Sequence, residues 1–141
     1  MKKMRWILML VVGASMLMLA ACAAPAPAAS TEAPVPAPYA GMKNPLAGKA
    51  DAVDAGKATF MDNCSTCHGD KGKGDGPGGA SLKVKPADLT EVAANDEDDR
   101  IIWTISEGGA AAGKSADMRP WKDQLSQEEI WQVVTYMRTL K

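Results

Sequence analysis

The sequence predicts a small all-α domain of three main helices joined by long loops. Three observations carry this reading. Segments near residues 53–66, 96–107 and 126–137 have helical spacing or helix-start signals. The stretches between them are rich in glycine and polar residues. Nothing around the paired cysteines Cys64 and Cys67 alternates as a strand would.

The first helix is expected from about Val53 to Thr66, where Gly56, Phe60 and Cys64 recur every fourth residue along one face. The second is expected from Asp96 to Glu107. Asn95 or Asp96 would serve as its N-cap, the acids Asp96, Glu97, Asp98 and Asp99 would favour its positive end, and Gly108 would stop it. The third has the strongest signal. Ser126, Gln127, Glu128 and Glu129 form a capping box, Leu125 and Ile130 supply the staple around it, and Ile130, Val133, Val134 and Met137 line one face. Residues 69–79 hold six glycines in eleven positions. No strand precedes them and no Gly-Lys-Ser/Thr ending follows, so a phosphate-binding loop is excluded and a turn-rich wrap is expected.

Cys64-Ser65-Thr66-Cys67-His68 is the segment that carries chemistry. C-x-x-C-H is a c-type haem attachment pattern: two thiols can form thioethers to the porphyrin, and the adjoining imidazole can ligate its iron. On a helix Cys64 and His68 fall at i and i+4, so one macrocycle can be clamped at its edge and ligated at its centre. A structural zinc site needs four ligands, yet the chain holds three cysteines and one histidine. A thioredoxin-like redox pair would need a βαβ setting. One covalently bound haem c is therefore the expected cofactor, with Ile101, Trp103, Ile105, Leu82 and Leu89 expected to pack around it.

Residues before about 50 do not read as domain. Lys2, Lys3 and Arg5 precede an apolar run from Trp6 to Ala21, the plan of an export signal. Leu19-Ala20-Ala21-Cys22 then resembles the lipobox of bacterial lipoproteins, which implies cleavage after residue 21 and a lipid on Cys22. The other reading is an uncleaved transmembrane anchor over the 19 residues Trp6 to Ala24, barely enough to span hydrocarbon. Either way the protein is tethered to a bacterial membrane on its extracytoplasmic side. Residues 22–50 hold six of the nine prolines with little charge and read as an extended spacer. The expected plan is thus a signal peptide at 1–21, a lipid-anchored tether at 22–50 and a haem domain at 51–141. With two cysteines assigned to haem and one to lipid, no disulfide is expected. Removing Lys2, Lys3 and Arg5 from the sixteen basic residues leaves thirteen against seventeen acidic ones, a net charge of −4. This balance does not fit a nucleic-acid binder.

His68 is the only histidine, so a second axial ligand must come from elsewhere. Met61, Met118 and Met137 are the soft donors of the domain. Met61 is too near Cys64 in sequence to cross to the far face of a haem, and Met137 lies on the apolar stripe of the last helix. Met118, in a loop fifty residues beyond His68, is the expected ligand, with packing against the ring as the alternative. Met/His ligation raises the potential of haem iron and fills both axial positions, leaving one-electron transfer as its chemistry.

Over residues 51–141 the chain resembles the class I cytochromes c. The resemblance rests on Cys64 to Gly69, Gly76-Pro77, Met118-Arg119-Pro120-Trp121 and Tyr136-Met137-Arg138-Thr139-Leu140. It implies a close crossing of the first and last helices, with Gly56 and Phe60 against Val133 and Tyr136. It also implies that the Pro77 carbonyl orients His68. Arg119 separates Met118 from Pro120, where many relatives have Met-Pro, and brings a cation toward the expected haem edge. The implied function is single-electron transfer, without catalysis, between respiratory or photosynthetic redox partners. Lys71, Lys73, Arg119 and Lys122 are candidates for steering acidic partners. The alternatives are a fixed haem subunit of a membrane quinol-oxidising or oxidase complex, and a ligand-binding or peroxidase-like haem protein.

Overall fold

The computed structural model describes residues 33–141, and among them every regular element is helical. In chain order these are α1 (Ala50–Asn63), α2 (Ser65–His68), a 3₁₀ turn (Pro77–Gly79), α3 (Leu89–Asn95), α4 (Asp98–Glu107) and α5 (Gln127–Met137). The all-α expectation is met, and none of these helices is long and apolar enough to cross a membrane. The signal segment, the alternative span Trp6 to Ala24 and Cys22 lie outside the described residues.

The crossing of α1 and α5 organises the core. A Cβ at Gly56 would stand 1.9 Å from the Gln132 carbonyl oxygen and 3.0 Å from the Val133 nitrogen, so the two backbones meet where only glycine fits. One turn on, Phe60 and Tyr136 stack tilted at 56° with ring centroids 5.2 Å apart. Phe60 and Val134 have no exposure, and Ile101, Ile102, Ile105, Trp121 and Trp131 complete the same buried cluster. Full burial of each such side chain contributes roughly 1.5–3 kcal/mol.

The capping box of α5 is present in full. The Ser126 hydroxyl accepts from the Glu129 N–H at 3.2 Å, and the Glu129 carboxylate accepts from the Ser126 N–H at 2.8 Å. At the other end Arg138 joins three elements. It donates to the Ala93 and Asp96 carbonyls at the end of α3 and forms a 2.6 Å ion pair with Asp98 at the start of α4.

Several boundaries differ from the sequence reading. The first helix starts at Ala50 and breaks at Cys64, before the short α2. The second starts at Asp98, because residues 89–95 form a separate helix that ends on Asn95 and Asp96. Asn95 and Asp96 therefore close α3 rather than cap α4. Asp88 caps α3, accepting from the Thr90 N–H at 2.9 Å. Asp88 followed three residues later by Glu91 is a helix-start signal that the sequence reading passed over.

The largest difference concerns the expected spacer. Residues 33–49 lie along α4 and α5 as a strap, with Tyr39, Met42 and Leu46 packed against the core. The Gly41 N–H donates to Asp99, the Asn44 N–H to Asp98, and the Asn44 side-chain amide to Thr135, at 2.9–3.0 Å. Lys43 pairs with Glu97 at 2.6 Å. The acids at the start of α4 thus receive donors from the strap and from Arg138 as well as favouring their own helix.

Gly56→Ala should lower holo-protein stability by at least about 2 kcal/mol, since overpacking against backbone cannot relax cheaply. A thermal melt should read this as a fall of roughly 10 °C. Acid acts on the carboxylates of the same surface. Burial alone would raise Asp98, but the Asn44 N–H and Arg138 outweigh it and hold its carboxyl below the usual value. Hydrogen bonds also depress Asp88, Glu107 and Glu129. Groups lowered in the folded state stabilise it fully above their unfolded values, about pH 4, and lose that contribution as pH falls through the folded values. The melting temperature should therefore drop most steeply below about pH 4.5. In Asp98→Asn it should start lower and drop less.

Candidate haem site

Cys64, Cys67 and His68 are brought together on one turn. The N–H groups of Cys67 and His68 both donate to the Cys64 carbonyl, at 3.1 and 2.9 Å, so the break between α1 and α2 winds the motif around its first cysteine. Both cysteines are half-buried free thiols. Burial pushes the Cys64 thiol up to about 11, with Cys67 beside it adding to the effect. A redox or metal-binding cysteine needs the opposite, an easily formed thiolate. An uncharged thioether suits this apolar setting. Among the described residues no three His, Cys, Asp or Glu side chains gather as a metal cluster would require.

The glycine loop is shaped by how closely it approaches this turn. A Cβ on Gly76 would fall 2.5 and 2.6 Å from the Thr66 and Ser65 carbonyl oxygens, and one on Gly79 would fall 2.9 Å from the Cys67 carbonyl oxygen. A Cβ on Gly78 would fall 3.0 Å from the Thr66 carbonyl oxygen and 3.5 Å from Cys67 Sγ. The wrap anticipated from the glycine count is therefore built, and it closes over the motif's backbone. The donor set fits a haem: two uncharged sulfurs at the edge and one imidazole beside them.

His68 Nδ1 lies 3.1 Å from the Ala87 carbonyl oxygen. A carbonyl can only accept, so Nδ1 carries the proton and Nε2 keeps its lone pair for a metal. Burial lowers the affinity of this ring for a second proton, which the Ala87 contact only partly offsets, so the imidazole is held neutral. Here the structure corrects the sequence reading, which gave the orienting carbonyl to Pro77. The Pro77 carbonyl instead accepts from the Ala80 N–H within the 3₁₀ turn. Pro86 sets the Ala87 carbonyl in place, packed between Gly79 and Gly74, whose absent Cβ atoms would meet it at 2.6 and 2.3 Å.

Met118 comes from a separate loop at the far end of α4. Gly108, at φ +82, turns the chain out of that helix. The Gly109 N–H donates to the Met118 carbonyl at 2.9 Å, closing the loop at its neck. The Trp121 N–H then ties the returning strand of chain to the Ile105 and Ser106 carbonyls, both at 3.1 Å. Met118 and Cys64 are half-buried and pack on the same core cluster. Met137 is inside that cluster at 3% exposure, whereas Met61 is on the surface at 36%. Arg119, expected to project toward the haem edge, lies over the Trp121 ring at 4.3 Å. Lys73 is engaged by Thr90 and Asp88, and Lys122 by Glu107. Three of the four cations considered for steering are thus held by neighbours in the fold.

Similarity to known proteins agrees with this arrangement. Among solved structures the fold is similar to cytochrome cL of the marine methylotroph Methylophaga aminisulfidivorans, at a TM-score of 0.53 and 24% identity over 69% of this chain and 58% of that one. It is also similar to a chain of the reducing HAO-like protein complex of Kuenenia stuttgartiensis, at a TM-score of 0.56 and 22% identity over 69% of this chain and 47% of the other. The chain spans about half the length of these two neighbours, and at such identities they speak for the fold alone. No curated protein matches the sequence. Residues 51–137 match the family described as cytochrome c oxidase, cbb3-type, subunit III. The chain belongs to that family, and with it to the class I c-type cytochromes that carry covalently bound haem c.

Proposed function

We propose that this protein is a membrane-tethered electron carrier, with no catalytic activity of its own, whose haem is held by Cys64 and Cys67 and ligated by His68 and Met118. The observation that carries the reading is the C-x-x-C-H turn with His68 Nδ1 engaged by the Ala87 carbonyl, which leaves Nε2 for iron. Haem supplies one-electron gain and loss. The chain's residues hold it, keep His68 neutral and limit water at Cys64. Cys22 carries the lipid, and the domain works at the extracytoplasmic face of a bacterial membrane. Its partners are redox proteins or a membrane respiratory or photosynthetic complex, not nucleic acid. A second reading, a fixed haem subunit of such a complex, is favoured by the family description, which names an oxidase subunit.

Optical spectroscopy of the purified holo-protein tests the ligand set. The expected result is a low-spin spectrum with the weak long-wavelength methionine–iron band and no response to carbon monoxide. Met118→Ala should lose that band and bind carbon monoxide. A wild-type protein that already binds carbon monoxide would return the ligand-binding or peroxidase-like reading to the front.

Cys22→Ser should move the protein from the membrane to the soluble extracytoplasmic fraction. Retention in the membrane would point to an uncleaved anchor or to a membrane partner that holds the domain. Co-purification of a stoichiometric partner from detergent-solubilised membranes would favour the fixed subunit over the free carrier.

A further inference from the structure

The strap lies outside the matched family region, which begins at residue 51, yet it reaches the loop that carries Met118. It does so directly at one place and through the end of α4 at another. At its start, the Ala33 nitrogen lies 4.0 Å from where a Cβ on Gly113 would stand, near the middle of that loop. The Ala33 carbonyl also accepts from Arg100 on α4 at 3.1 Å. Further along, the Tyr39 hydroxyl donates to Glu107 Oε1 at 2.8 Å, while Lys122 donates to the other oxygen of the same carboxylate at 2.7 Å. Glu107 is the last residue of α4, directly before Gly108, and Lys122 follows the returning end of the loop. The carboxylate therefore joins three pieces of chain: the strap, the exit from α4 and the loop's return.

The contact is tight enough to matter. Burial and the neighbouring Glu107 carboxylate push the Tyr39 hydroxyl above its ordinary value, so it remains a donor at any physiological pH. Lys122 and Tyr39 together hold Glu107 ionised. The Lys122 N–H also donates to the Ser106 carbonyl at 3.2 Å, so its backbone and side chain are both fixed to the end of α4. Gly108, whose missing Cβ would meet the Met118 carbonyl oxygen at 2.8 Å, sits within this joint.

From this arrangement we infer that the strap braces the Met118 loop, with Tyr39 as a positioning residue acting through Glu107 and Lys122 to keep Met118 in place as the axial ligand. The inference rests on the proposed Met118 ligation. It adds that the segment leading to the anchor, and not the haem domain alone, sets how readily that ligand leaves. A pull or a partner that lifts Tyr39 off Glu107 would loosen the sixth position of the iron.

The test is the rate at which added imidazole replaces the native axial ligand of the ferric holo-protein, followed at the methionine–iron band. Tyr39→Phe removes only the hydroxyl and should speed this exchange about fivefold, the factor that one ordinary hydrogen bond is worth. Lys43→Ala breaks a strap contact at the opposite end of α4, with Glu97, and should leave the rate unchanged. If Tyr39→Phe leaves exchange at the wild-type rate, the brace does not exist. Equal acceleration by both variants would also overturn it, because the strap would then act only through general stability. A wild-type protein without the methionine–iron band would sink the Met118 reading itself, and this inference with it. The band is read before any variant is made, so the two failures are distinguishable.

Discussion

The close approach of α1 to α5 at Gly56 is the constraint on which the rest of the structure depends. Without a side chain there, the Gln132 carbonyl comes down onto α1, and Phe60 can reach Tyr136 one turn further along. That contact fixes the direction in which α1 leaves the core. Four residues after Phe60 the helix breaks at Cys64, so the attachment turn emerges at a place set by the crossing. α5, the other partner, is pinned at its start by the Ser126 box and at its end by Arg138. The positions of Cys64 and Cys67 are thus fixed by a helix pair whose own contacts are remote in sequence.

Two further devices complete the site on opposite sides of the sequence. On the His68 side, glycines without side chains let Pro86 settle close, and Pro86 delivers the Ala87 carbonyl to the imidazole. On the Met118 side, Gly108 and Gly109 let the loop fold back on the end of α4, and the Trp121 N–H locks its return. One side is held by backbone packing and the other by a hydrogen-bonded neck. In the proposed ligand set the methionine sits in a loop closed by hydrogen bonds at its neck, whereas the turn of His68 is packed along its backbone, and the proposed brace acts on the first of these.

Much of this was legible in the chain because the signals were local. The Ser126 capping box and the Gly56/Phe60 spacing each state their local structure within a few residues, and both are present as read; the five-residue motif also forms a helical turn, but after a break at Cys64 rather than at the end of one continuous helix. What the sequence left obscure depends on distant partners. Nothing near Pro77 shows that its carbonyl is used by its own 3₁₀ turn, or that Ala87, nineteen residues from His68, is the acceptor. The acids 96–99 have the composition of a helix start, but Arg138 and Asn44 decide where the Asp98 oxygens point. The strap was hidden by its prolines. Composition there argues for a free spacer, whereas Tyr39, Met42 and Leu46, spaced three or four apart, provide apolar anchors enough to dock it.

The strap also changes where this domain begins. Cutting the chain at residue 51, where the family match starts, would remove Tyr39, Met42 and Leu46 from the core surface. It would also strip Glu97, Asp98 and Asp99 of the Lys43, Asn44 and Gly41 donors. Three consecutive carboxylates would then crowd the first turn of α4 with Arg138 as the remaining cation shown at Asp98. Their mutual repulsion would fall on the junction of α3, α4 and α5. The functional unit of this protein is longer at its amino end than the family's boundary suggests, and the extra length is an electrostatic cover for one helix start.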